Sequence, residues 1–72
     1  MKLTVEEKTI WQEVYTEIFE EVHSIEYAHM VVDSPEEFAR GYAAEVAADI
    51  ADSIARVAII NFRKSGERLK AR

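Results

Sequence analysis

Cysteine is absent from the 72-residue sequence, and glycine and proline are scarce: Gly41, Gly66 and Pro35 are the only ones present. The first absence excludes disulfides and thiolate metal sites. The second leaves room for few turns, so long helices are expected. No stretch approaches the ~20 apolar residues that cross a bilayer; the longest strongly apolar, charge-free run near the C-terminus is Val57 to Phe62, interrupted by Asn61. The opening Met1-Lys2-Leu3-Thr4 is followed by glutamates after one valine, which is not the pattern of a secretory signal. There is no Gly-rich phosphate loop, and Ser24, Ser34, Ser53 and Ser65 have no evident triad partners. These absences point to a non-enzymatic cytoplasmic protein with no cofactor, no metal and no membrane partner.

What is present is apolar and acidic. Hydrophobic residues make up 49% of the chain and the net charge is −5. The charge is divided: residues 1–55 carry 13 acids against Lys2, Lys8 and Arg40, whereas Arg56, Arg63, Lys64, Arg68, Lys70 and Arg72 face Glu67 alone in residues 56–72. An acidic body disfavours direct nucleic-acid binding. A chain this short, without disulfides or metal, gains the burial it needs most readily by associating with copies of itself.

Two helix starts are legible. Thr4-Val5-Glu6-Glu7 reads as a capping box. Ser34-Pro35-Glu36-Glu37 repeats the signal, with Ser34 as cap and Pro35 at the first helical position. The expected fold is all-α: a single-domain helical hairpin with helices over about 5–30 and 35–64, a turn at Val31 to Ser34, a stop at Gly66, and a basic, frayed tail over 66–72.

On a wheel of 100° per residue, Trp11, Tyr15, Ile18, Val22 and Ile25 share one face of the first helix, with Phe19 at its edge. The second helix is apolar around a wider arc than one partner helix can cover. Its Val46, Ile50, Ile54 and Val57 are expected to complete the hairpin core. Ala44, Ala48, Ala51, Ala55 and Ala58, with Phe62, are expected to form a self-association face, two hairpins closing a dimeric four-helix bundle. On that expectation Ala51→Glu separates the copies.

Several constellations invite a chemical reading. Glu20/His23 and Glu26/His29 have the Glu-x-x-His spacing of helical di-iron proteins, but the two pairs point in different directions on the wheel, His29 on the apolar face and His23 away from it. Glu45, Asp49 and Asp52 resemble the acidic helices of all-helical nucleotide pyrophosphohydrolases, but the first helix lacks a matching motif on the corresponding face. Asp52 and Arg56, at i and i+4, are placed to pair. Arg56, Arg63, Lys64 and Tyr42 could grip a phosphate-bearing nucleotide. Glu13, Glu17, Glu20 and Glu21 line an acidic outer face suited to a basic partner surface.

Trp11-x-Glu13-Val14-Tyr15, followed by Tyr42-Ala43, Ala47-x-Asp49-x-Ala51 and Phe62-Arg63-Lys64, resembles small orphan helical proteins of tailed bacteriophages over residues 11–64. The resemblance implies a protein, acting in the host cytoplasm, that inhibits a host or antiviral-defence protein by binding it. The alternatives are an oligomeric sponge that sequesters a signalling nucleotide between subunits, and a structural or assembly subunit.

Overall fold

The computed structural model describes residues 2–70, and the side chains of residues 2–66. Two helices, α1 (Val5–Met30) and α2 (Glu36–Lys70), form an antiparallel hairpin. Thr4 caps α1 as its sequence demands. The Glu7 N–H donates to Thr4 Oγ1 at 3.1 Å, and the Thr4 N–H donates to Glu7 Oε1 at 2.9 Å, so two amides that the helix leaves orphaned are satisfied reciprocally. The turn falls at residues 31–34, where the Val31 N–H still donates to Tyr27 O and the Ser34 N–H to Met30 O.

α2 departs from expectation at both ends. It begins at Glu36, and the Pro35 carbonyl accepts the first helical bond, from Ala39 N–H. None of the side-chain hydrogen bonds of the described residues joins Ser34 to Glu37. The expected stop at Gly66 is absent as well. No glycine adopts the positive φ of a helix-ending cap, and α2 continues through Gly66 to Lys70. The tail expected to fray therefore begins as helix; residues 71–72 lie outside the described residues. Gly41 likewise sits within an unbroken helix.

The interior of the hairpin is a single row of α2. Ala39, Ala43, Ala47, Ala51, Ala55 and Ile59 recur every four residues, and all are fully buried. Such a row drifts by about 40° per step on a helix of 3.6 residues per turn. A seam that follows it winds in the right-handed sense. The half-buried side chains of α1 form two rows of the same period. One is aliphatic (Ile10, Val14, Ile18, Val22) and one aromatic (Trp11, Tyr15, Phe19, His23, Tyr27). The alanine ridge of α2 fits the groove between them, because α1 is the only other helix of the described residues that can cover it.

This packing corrects the expected division of labour on α2. Ala51 and Ala55, assigned to self-association, lie inside the hairpin seam. Ile50, Ile54 and Val57, assigned to the core, are exposed, as is Ile25 of α1, at 51%. The physical reason is complementarity of size. α1 brings Trp, Tyr, Phe and branched aliphatic side chains to the seam, and a thin helix surface accommodates them at normal packing density.

Candidate interaction faces

The hairpin has two unlike faces, and its hydrogen bonds orient them. Tyr27, the last residue of the aromatic row, donates its hydroxyl to Glu36 Oε1 at 3.3 Å. Trp11, near the start of the row, borders a notch with Leu3, Asp52 and Arg56. Glu36, Asp52 and Arg56 share the α2 row that runs through Arg40, Ala44 and Ala48. The aromatic row therefore lies on that side of the seam, above the half-buried Ala44 and Ala48. Its rings stack in sequence: Trp11 on Tyr15 at 4.7 Å between centroids, Tyr15 on Phe19 at 6.0 Å, Phe19 on His23 at 5.7 Å and His23 on Tyr27 at 6.2 Å. Two exposed ion pairs edge this face. Glu36 pairs with Arg40, and Asp52 with Arg56 at 3.0 Å, as the i, i+4 spacing predicts.

The aliphatic row of α1 lies on the other side. It borders the α2 row of Phe38, Tyr42, Val46, Ile50, Ile54, Ala58 and Phe62, which has no charged member. Phe38, at 58%, Tyr42, Ile50, Ile54 and Phe62 are exposed, and Val46 and Ala58 are half-buried. Phe38 stacks on Tyr42 at 6.3 Å. Val57, 55% exposed, extends the apolar surface towards the back of α2. A continuous apolar patch of this kind exceeds the scattered single side chains usual on a soluble surface. Of the residues expected to mediate self-association, Ala58 and Phe62 stand in this patch, whereas Ala44 and Ala48 stand beneath the aromatic face.

At the open end of the hairpin, Glu7 is buried, 4% exposed. Arg63 reaches it with both arms of its guanidinium, Nε to Oε2 at 2.5 Å and Nη2 to Oε1 at 3.0 Å, and Nη2 also donates to Lys2 O at 2.9 Å. The Arg63 hydrogen bonds, reinforced by the Thr4 amide, hold the Glu7 carboxyl down at about 2.

The expected anion grip is not assembled within the hairpin. Arg63 is engaged by Glu7 and Arg56 by Asp52, while Lys64 is exposed. Tyr42 stands on the opposite flank of the seam from Arg56, and 21 residues of helix, about 31 Å, separate it from Arg63. Glu13, Glu17, Glu20 and Glu21 are all exposed on the outer side of α1, where Glu13, Glu17 and Glu20 edge an open groove with Gln12 and Thr16. His23 is half-buried in the aromatic row and His29 is exposed, the reverse of the wheel. Among the described residues, no three His, Asp or Glu side chains lie close enough to share a metal ion, and no helix is long and apolar enough to cross a membrane.

Comparison with protein-family models, curated proteins and solved structures returns no match.

Proposed function

We propose that the chain is a non-enzymatic, self-associating binding protein. Two hairpins close a four-helix bundle, and the acidic outer side of α1 meets the basic surface of a partner protein. The observation that carries the reading is the mismatch between core and surface. Among the described residues the fully buried core amounts to five alanines and one isoleucine, while Phe38, Tyr42, Ile50, Ile54 and Phe62 keep 37–58% of their surface in water. Full burial of a wholly exposed large side chain contributes about 1.5–3 kcal/mol, and about half of that remains to be gained at each of these half-covered positions, so association recovers stability that the lone hairpin lacks.

The resemblance of the Trp11–Tyr15 and Phe62–Lys64 segments to small phage proteins supports a host or antiviral-defence protein as the partner, inhibited by occlusion of a basic surface. Glu13, Glu17, Glu20 and Glu21 supply the charge. Affinity capture from a bacterial lysate tests this part: the wild-type chain should retain one stoichiometric partner, and a variant with these four residues changed to Lys should not. Equal recovery by both proteins would remove the acidic side from the mechanism. Sedimentation equilibrium tests the self-association.

A further inference from the structure

Building on that self-association reading, we propose that a second copy docks antiparallel along the outward row of α2, with the two-fold axis passing through Ile50. The row runs from Phe38 to Phe62 in steps of four, and Ile50 is its midpoint. Read in reverse, it complements itself. Phe62 of one copy meets Phe38 of the other, Ala58 meets Tyr42, Ile54 meets Val46, and Ile50 meets its own counterpart. This is the isologous pattern a two-fold interface requires.

The order of sizes selects the direction. An antiparallel copy sets the large Tyr42 against the small Ala58. A parallel copy would set Tyr42 against Tyr42 and Ala58 against Ala58, overfilling one level and leaving a void at another. The partly exposed aliphatic row of α1 borders the same side, so it gains cover from the same copy. Continued by steps of four, that row reaches half-buried Glu26 and Met30 near the turn and exposed Glu6 at the open end.

The dimensions suit a stable dimer. The row spans about 36 Å of helix, and the hairpin is 18 Å across. The resulting contact, on the order of 650 Å² per copy, comes close to the roughly 800 Å² of a standard interface. The occupant must also be present whenever the chain is folded, because so little of the core is fully buried. A second copy is the one partner always made together with the first.

The absence of native cysteine makes disulfide trapping in the full-length chain a direct test. Under mild oxidation, Ile50→Cys should give a covalent dimer. Phe38→Cys alone should not, and Phe38→Cys refolded together with Phe62→Cys should give the mixed dimer. Glu20→Cys, on the outer side of α1, should stay uncrosslinked. Ile50→Lys, a change at a side chain already 38% exposed in the hairpin, should weaken dimerisation by at least about 100-fold. A wild-type chain that sediments as a monomer at tens of micromolar overturns both this pairing and the self-association reading. A wild-type dimer that traps through Phe38→Cys alone, or one left intact by Ile50→Lys, overturns the pairing and leaves self-association standing.

Discussion

Glu7 and Arg63, 56 residues apart in sequence, form a two-pronged ion pair that closes the open end of the hairpin. The same carboxylate completes the capping box of α1, so one side chain serves both the start of the first helix and its attachment to the second. Arg63 continues the buried row of α2 one step beyond Ile59, and Glu7 continues the aromatic row of α1 one step before Trp11.

This pair makes stability depend on acidity in a defined window. The Glu7 carboxyl titrates at about 2 in the folded chain against 4.5 ordinarily. A depressed carboxyl contributes stability that is fully present above pH 4.5 and is lost as pH falls through the folded value. Thermal unfolding of the wild type and of Glu7→Gln, followed from pH 6 to pH 2, should show the largest gap above pH 4.5 and convergence near pH 2. A constant gap across that range would contradict the assigned titration. Arg63→Ala should also destabilise the chain far more than Arg40→Ala, whose exposed i, i+4 pair with Glu36 contributes only about 0.3–0.5 kcal/mol.

The seam is intolerant of bulk. Ala51→Leu places a larger side chain where the helices already meet and should cost about 1–3 kcal/mol, lowering Tm by about 4–8 °C for each kcal/mol. Ala51→Glu should unfold the hairpin instead of merely separating copies, because the seam offers its carboxylate no partner. Circular dichroism alongside sedimentation distinguishes the outcomes. A fully helical, monomeric Ala51→Glu would return this alanine to the surface between copies.

Gly41 is the opposite case. A Cβ built there meets nothing within 4 Å, and its backbone is helical without positive φ. Gly41→Ala should therefore stabilise the chain by about 0.5–1 kcal/mol, read as a raised Tm. A lowered Tm would place another backbone against this position.

The start of α1 is legible because its signal is local: Thr4 with Glu7 acts within one turn, as does the Asp52–Arg56 spacing, and both stand as the sequence predicts. The ends of α2 are less so: Pro35 precedes the helix instead of opening it, and Gly66 does not stop it. The faces were harder. A wheel at 100° per residue assumes a straight seam, and this seam advances in steps of four. Over the four steps from Trp11 to Tyr27 the drift reaches about 160°, enough to carry His23 into the half-buried row and Ile25 and His29 out of it. The recurrence Ala39, Ala43, Ala47, Ala51, Ala55 was visible in the sequence. What it did not declare was whether thin residues serve contact within the chain or between chains. The aromatic spacing of α1, extended from Phe19 through His23 to Tyr27, answers that question by supplying the bulk that calls for a thin partner. The same extension by one step at each end would have brought Glu7 and Arg63 together.

An alanine seam also changes how the molecule looks to mutagenesis. Systematic truncation to alanine would register nothing at five of the six fully buried positions among the described residues of α2, since nothing remains there to remove. The face on which the hairpin depends most would read as silent, and only enlarging substitutions would reveal it. Drift at these sites has one permissive direction, towards glycine, and that direction weakens the helix itself.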